Sequence, residues 1–447
     1  METLLKRGQM VVARAMQSAC IVQELLGEGG QAEVYRARIG TFDYALKWYR
    51  PEYLHADRRL WDRLREAVNT GSPTDQYLWP FDLASLPGSA AYGGYVMPLK
   101  PTHFISLVDL IRRKCEPSFR ALTNVGFQLA HNFFRLHTLG LCYRDINFGN
   151  IFFDPANGDI RIGDTDNVDV NRRPGGIMGT WGFMAPEVGR REVEPSAMTD
   201  RYSLAVLLFY VFMLGHPLKG RKESELSYDA GDPDGSRRLC SDHPVFVFDP
   251  RDDSNRPVAG LHDVIVNFWQ IYPQSLRDLF TRSFTTGLHD PEARVMENEW
   301  RREMCRIRDS IFHCAKCGAE NFFDIANIRY KRDLSPCWAC YAAQSAPPRI
   351  RLTRSSHAGG GDDASLVVLN KGTQLFAHHL DGDDYQFGTP LAVVELAPFY
   401  ELRNQSNRSW TCRSAAGVLS QVLPGAALLL QNGCRIHFGG CEGDVRM

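Results

Sequence analysis

Several absences narrow what this chain can be. Charge of one sign is missing: 51 Lys and Arg stand against 52 Asp and Glu, for a net charge of −1. No global field therefore draws the chain to nucleic acid or to an anionic membrane. Long hydrophobic runs are missing too. The most apolar stretch, Leu204 to Leu214, is too short to span a bilayer and suits a buried helix. The first twenty residues, METLLKRGQMVVARAMQSAC, are mildly basic and amphipathic. They lack the apolar core and small-residue cleavage site of a signal peptide, so none is expected. Apart from one group of four, the 12 cysteines form no paired framework. That favours a reducing cytoplasm over a secreted, disulfide-stapled fold. No membrane partner is expected.

What is present describes a soluble globular protein, with 44% hydrophobic and 23% charged residues. A chain of 447 residues exceeds one ordinary core, so roughly two to four domains are expected. The chemistry centres on Leu139 to Asp166, LGLCYRDINFGNIFFDPANGDIRIGDTD. Asn157-Gly158 is a turn signal between the apolar runs Ile151-Phe152-Phe153 and Ile160-Arg161-Ile162. A hairpin there returns Asp164 to the neighbourhood of Asp145 and Asn150. Two carboxylates and an amide oxygen then converge, the ligand set that hard divalent cations share with phosphates. Upstream, strand-like runs flank Gly27-Glu28-Gly29-Gly30-Gln31-Ala32, with Val34 next and Lys47 closing Tyr44-Ala45-Leu46-Lys47. Glycines in such a turn let backbone N–H groups approach phosphates without a Cβ in the way.

These motifs resemble those of protein kinases. Tyr143-Arg144-Asp145 stands where H-R-D would, Asn150 is in register, and Asp164-Thr165-Asp166 replaces D-F-G. Tyr44 to Lys47 is similar to V-A-I-K, and Gly179-Thr180-Trp181-Gly182-Phe183-Met184-Ala185-Pro186-Glu187 to the stretch closing a kinase activation segment. Asp290-Pro291-Glu292-Ala293-Arg294 resembles the terminal D-P-x-x-R. The resemblance covers roughly residues 20 to 310, in the expected order.

It implies a bilobal α+β fold and transfer of the ATP γ-phosphate, with Mg2+ or Mn2+, to Ser or Thr of a protein substrate. By carry-over, Gly27, Gly29, Gly30 and Val34 cover the phosphates, and Lys47 pairs with them and with a helix glutamate. Glu66, nineteen positions after Lys47 on a helix from about Asp57 to Asn69, is the expected partner. Met97 is the gatekeeper position, and the backbone of Pro98 and Leu99 faces adenine. Asp145 orients the acceptor hydroxyl, Asn150 and Asp164 hold magnesium, Asp200 fastens the catalytic loop, and Arg294 pairs with Glu187.

The departures are specific. Tyr143 replaces the family histidine, and Asn147 stands where a lysine steadies the γ-phosphate. Asp166 replaces a glycine, as a further metal ligand or as a turn cap. Between Asp166 and Gly179 there is no Ser, Thr or Tyr, so Arg144 has no phosphorylated side chain to grip and activation by phosphorylation there is not expected.

Cys314-Ala315-Lys316-Cys317 and Cys337-Trp338-Ala339-Cys340, nineteen residues apart, form the spacing of a four-thiolate structural zinc site. Arg329, Lys331 and Arg332 between the pairs are read as a solvated face. Ser345 to Ala364 reads as a linker, and Ser365 to Met447 as short strands of a small β-sandwich, faintly similar to forkhead-associated domains. The expected order is an N-terminal extension (1–18), kinase N-lobe (19–100) and C-lobe (101–312), zinc ribbon (313–345), linker (346–364) and sandwich (365–447). Lys219 to Gly260 reads as a surface insertion. This module order resembles bacterial kinases encoded with a 2C-type phosphatase and a von Willebrand A-domain protein in tellurite-resistance-associated triads, which implies those partners. Two alternatives stay open: a non-catalytic pseudokinase scaffold, and a nucleic-acid-binding zinc-ribbon protein.

Overall fold

Val11, Ala13, Cys20, Val22, Tyr35, Ala37, Ile39 and Leu46 share one apolar core. Along the first three strands they alternate with more exposed neighbours, the period-two pattern of a sheet with one buried face, whereas Ala45 to Tyr49, around Leu46, are buried on both faces. In the computed structural model they lie on β1 (Met10–Ala13), β2 (Ser18–Glu28), β3 (Ala32–Ile39) and β4 (Phe42–Tyr49). With β5 (Asp82–Ser85) and β6 (Tyr92–Met97) these strands close a barrel in the order β1-β2-β3-β4-β6-β5. The described residues are 3–447 except 58, 175, 228–234, 326–333, 355–363, 383–384, 386 and 397. Arg329, Lys331 and Arg332 therefore lie outside them.

The barrel corrects one boundary. Residues 1–18 are not an extension, because β1 pairs with β2 and, through Val12↔Ser85 and Ala13↔Ala84, with β5. A four-residue strand is too short to display its period in the sequence. Between β4 and β5 run two helices where one was expected, α1 (Pro51–Ala56) and α2 (Leu60–Thr70). Proline at the first turn of α1 suits a helix start, where no intrahelical N–H is required.

Next come β7 (Ile105–Ser106), α3 (Leu107–Ile111), α4 (Phe119–Thr138), β8 (Leu141–Cys142), β9 (Ile151–Phe153), β10 (Ile160–Ile162), β11 (Asp169–Val170), α5 (Pro186–Gly189) and α6 (Ala197–Met213). Ser118 caps α4 by accepting from the Ala121 N–H, and the helix buries Leu122, Val125, Leu129, Phe133 and Leu136. Ser196 and Thr199 make a capping box on α6, which is buried almost all round, as its apolar run foretold. The segment 219–260 is less superficial than its composition suggests. Leu239, Cys240, Phe246, Val247 and Asn255 are buried. Phe246 packs against Phe209, Trp269 and Phe284. The Asp/Gly/Ser/Pro content hid these anchors. Residues 228–234 of that segment lie outside the described part.

Contacts divide the chain into two units, Met1–Trp269 with Arg277–Arg301, and Gln270–Leu276 with Arg302–Met447. In the second, β12 (Ile311–His313) and β13 (Glu320–Phe322) form a hairpin. Ten strands follow: β14 (Arg349–Arg354), β15 (Ala364–Val368), β16 (Gln374–Leu375), β17 (Ala392–Leu396), β18 (Tyr400–Asn404), β19 (Trp410–Arg413), β20 (Leu419–Val422), β21 (Ala427–Leu429), β22 (Arg435–His437) and β23 (Cys441–Arg446). They form two antiparallel sheets, β15-β14-β23-β22-β19-β20 and β16-β17-β18-β21, around a core that includes Ile350, Leu402, Trp410 and Ile436. β14 falls inside the expected linker. Its Ile350 and Leu352 are buried at alternate positions, a signal too short to stand out beside the flanking prolines and glycines.

Two networks tie the first unit together below the barrel. Arg294 and Glu187 form the expected buried pair, with nitrogen–oxygen distances of 2.8 and 2.9 Å. His137 sits between Glu297 (2.7 Å) and Asp200 (3.0 Å). Burial alone would lower the His137 imidazolium, but hydrogen bonds to Asp200 and Glu297 hold its pKa up at about 9. A group raised in the folded state stabilises fully below its unfolded pKa, near 6.5, and loses that contribution as pH rises through about 9. The melting temperature is expected to fall between pH 6.5 and 9.5, by an amount on the order of 3 kcal/mol in stability. His137→Gln should remove most of that slope, measured by calorimetry across the range.

Candidate active site and metal centre

The expected hairpin forms: β9 and β10 pair in the register Ile151↔Ile162 to Phe153↔Ile160. Gly158 closes it at φ +79°, where an added Cβ would lie 2.0 Å from the Ala121 carbonyl oxygen, so only glycine fits. The return brings Gly163 N–H to the Asn150 carbonyl at 2.8 Å. Asp164 follows in the left-handed region, at φ +44° and ψ +43°, and its carboxylate is half exposed. A non-glycine residue held there marks a site whose geometry the surroundings impose.

The cleft residues meet there. Lys47 Nζ lies 3.2 Å from Asp164 Oδ1, and 2.9 and 3.0 Å from the two oxygens of Asp166. Asn150 donates from Nδ2 to the Asp145 carbonyl at 3.0 Å, which orients its own amide oxygen. Thr180 Oγ1 donates to Asp145 Oδ1 at 2.6 Å. Asn147, in the position of the family lysine, donates to Thr180 (3.2 Å) and to the Asp145 carbonyl (3.1 Å). It steadies the acceptor side of the site without adding charge. Gly27 lies near the end of β2 opposite Val34, and Gly29 and Gly30 lie in the exposed turn to β3, with Gly29 N–H on the Ala32 carbonyl at 2.9 Å. Met97 ends β6 in the core, and Pro98 and Leu99 follow it.

Glu66 is a correction. It does not meet Lys47; its carboxylate holds Arg173 at 2.8 Å. On α2 the buried stripe is Leu60, Arg63 and Leu64. Glu66 lies roughly a third of a turn from that stripe, given 3.6 residues per turn. Lys47 is partnered instead by Asp166. Asp166 also accepts from Tyr49 OH at 2.5 Å and Tyr95 OH at 3.4 Å. Both its oxygens are thereby occupied within a fully buried pocket, which excludes the metal-ligand alternative for this carboxylate. Burial alone would lower the Lys47 ammonium, yet Asp166, Tyr95 and Asp164 hold it well above its ordinary value. Burial would raise the Asp166 carboxyl, and Lys47 and Tyr49 keep it below the usual range.

Further residues complete the site. Tyr143 is buried, packs edge-on against Phe133 at 5.6 Å and donates from its hydroxyl to the Gly163 carbonyl. Asp200 accepts the Tyr143 and Arg144 N–H groups at 2.6 and 3.0 Å, fastening the catalytic loop as expected. Asp169 sits among three guanidinium groups, Arg173 at 3.2 Å, Arg144 at 3.5 Å and Arg59 at 3.7 Å. Sequence reasoning missed Asp166 as an anchor, and missed Tyr49, Tyr95 and Asp169. The density of acids in Asp164-Thr165-Asp166-Asn167-Val168-Asp169 was the available signal.

In the second unit the four cysteines converge. Cys314 and Cys340 sulfurs are 3.7 Å apart, as are Cys317 and Cys337, and all four lie within 4.8 Å of one another. A tetrahedron with 2.3 Å metal–sulfur arms has edges of about 3.8 Å. Each pair sits in the same turn. Gly318 N–H bonds the Cys314 carbonyl and Tyr341 N–H the Cys337 carbonyl, both at 2.8 Å, and both residues have positive φ. The donor set fits one tetrahedral metal ion. Asp309, His378 and His379 form a second cluster. There His379 Nδ1 accepts from the Phe376 N–H at 2.9 Å, so Nε2 carries the proton toward Asp309 at 2.9 Å and leaves no lone pair for a metal.

The lysine, the loop around Asp145 and the acidic turn stand together in one unit, and the comparisons with known proteins point the same way. Residues 95–248 match the family described as protein kinase domain. The chain is 30% identical over 213 residues to the DNA damage-responsive serine/threonine-protein kinase RqkA of Deinococcus radiodurans, covering 46% of this chain and 31% of that protein. It is 26% identical over 208 residues to the serine/threonine-protein kinase PknA of Corynebacterium glutamicum, covering 44% of each. It is 27% identical over 220 residues to ribosomal protein S6 kinase 2 alpha of Xenopus laevis, covering 47% of this chain and 29% of that protein. The chain thus spans less than half the length of these relatives. Part of it matches a protein kinase domain, and bacterial serine/threonine kinases are among the proteins it resembles. Among the described residues no helix is long and apolar enough to cross a membrane.

Proposed function

We propose that this chain is an ATP- and magnesium-dependent protein kinase acting on serine or threonine of a partner protein. The carrying observation is the meeting of Lys47, Asp145, Asn150 and Asp164 in one cleft, tied by the Gly163–Asn150 and Lys47–Asp164 contacts. Lys47 holds the α- and β-phosphates, under the flap of Gly27, Gly29, Gly30 and Val34. The backbone of Pro98 and Leu99 faces adenine. Asn150 and Asp164 present oxygens to the metal, which neutralises phosphate charge when bound. Asp145 orients the acceptor hydroxyl and takes its proton. Thr180 on Asp145 keeps that carboxylate aimed before substrate arrives.

The cysteine centre is proposed as structural zinc, since four thiolates leave no open position. The tail is proposed as a forkhead-associated-like sandwich that selects partners, with a von Willebrand A-domain protein and a 2C-type phosphatase as candidates. Its Arg403 is paired with Glu395 at 2.6 and 2.7 Å, which favours protein contact over phosphopeptide capture. No disulfide joins the described cysteines, in keeping with a cytoplasmic setting.

Three outcomes are expected. Asp145→Ala should cut transfer of radiolabelled γ-phosphate at least about a hundredfold without moving the melting temperature; equal activity in both proteins would leave a nucleotide-binding scaffold. Elemental analysis of the intact protein should give one zinc per chain, lost in Cys337→Ser. Because Arg144 is already engaged, by the Arg173 carbonyl at 2.6 Å and the Asp169 carboxylate at 3.5 Å, phosphatase treatment should change activity by less than about twofold; a larger fall would place control at a phosphorylated hydroxyl.

A further inference from the structure

We infer that Asp166 is the positioning residue for Lys47, and that the phosphate-binding lysine is thereby set by the metal-binding turn rather than by helix α2. The inference rests on the kinase reading and deepens it. Lys47 leaves β4 as a buried ammonium and must find a counter-charge, because an unpaired buried charge is strongly destabilising. Asp166 supplies it with both oxygens, at 2.9 and 3.0 Å. Two phenols hold the carboxylate from the barrel side: Tyr49, two residues after Lys47 on the same strand, and Tyr95 on β6, the strand that pairs with β4. Asp166 stands two residues after Asp164, so the lysine and the metal ligand are positioned by one turn of chain.

Helix α2 takes no part in holding the ammonium. Its inward polar residue is a cation, Arg63, whose guanidinium is bound to Asp57 at 2.6 Å. It reaches the turn through one long hydrogen bond, Nε to the Asp166 backbone carbonyl at 3.4 Å. Its acid, Glu66, faces Arg173. Moving α2 would therefore break the Arg63 contact and the Glu66–Arg173 pair and disturb the packing of Trp61 on Tyr49, but it would break no bond of the Lys47 ammonium itself. In a fold where a helix carries the lysine's partner, displacing the helix misplaces the lysine. Here that lever is absent, and the acid that aligns the lysine is connected by two peptide bonds to the acid that binds metal.

The test uses the full chain and an acyl-phosphate derivative of ATP, which acylates only the neutral amine of a lysine at the phosphates. Labelling of Lys47, suppressed by excess ATP, is followed by peptide mass spectrometry from pH 6.5 to 10. Asp166→Asn is expected to acylate at least about fivefold faster at pH 7.5, with its profile shifted to lower pH, because the nearer of the lysine's two carboxylates is gone and only Asp164, at 3.2 Å, remains. Its kcat should drop at least about tenfold, the scale of a misplaced reactive group. Glu66→Gln should leave the acylation profile unchanged.

The double variant Lys47→Met with Asp166→Asn removes both charges together and tests the case in which the single variant does not fold. Added to Lys47→Met, Asp166→Asn should alter binding of a fluorescent ATP analogue with magnesium by less than about twofold, since a residue acting through another has nothing left to act on. An unshifted profile in Asp166→Asn, a shift in Glu66→Gln, or a further large loss in the double variant overturns the inference. Phosphate transfer is scored separately. If the profiles behave as expected while the wild type transfers nothing, the kinase reading fails and the Asp166 assignment stands.

Discussion

The buried charge of Lys47 is the constraint on which the first unit turns. An ammonium shut away from water on the face of β4 turned away from the barrel core is tolerated only with its counter-charge and hydrogen bonds complete. The barrel supplies the cation and two phenols, and the loop after β10 supplies two carboxylates. The two lobes are thus joined by an electrostatic contact whose loss either half would resist. That contact also places the Lys47 ammonium beside the Asp164 carboxylate, the two groups proposed above to meet phosphate and metal.

One short stretch of chain gives three aspartates three uses, and burial separates them. Asp164 is half exposed in a left-handed turn that aims it into the cleft. Asp166, two residues later, is fully buried and belongs to Lys47. Asp169 is buried on β11 among Arg59, Arg144 and Arg173. The third arrangement bears on regulation. An arginine of the catalytic loop that grips a phosphate in the resembling family here grips a carboxylate belonging to the chain itself. The neighbouring segment correspondingly carries no hydroxyl to modify.

The catalytic loop, the hairpin after it, the lysine strand, the apolar α6 and the four cysteines were legible because each is local. Asn157-Gly158 dictates a turn by backbone conformation, and two C-x-x-C knuckles dictate a pair of turns by ligand geometry. Other features were not legible. β1 and β14 are strands only because distant partners wait for them, and four to six residues beside glycines and prolines carry too little periodicity to announce it. The segment 219–260 looks like surface by composition, but single aromatic anchors such as Phe246 decide where it runs.

Glu66 and Asp166 mark the dividing line most clearly. The order of residues along the chain determined which acids were available near Lys47 in number and spacing, and it determined that Asp164 would return to Asn150, because a hairpin of fixed length brings it back. It did not determine which acid the lysine would take. That depended on the rotation of α2 about its own axis and on how closely the turn after β10 approaches the face of β4 that carries Lys47 and Tyr49. Both are set by how whole elements pack, so only the tertiary structure decided the partner.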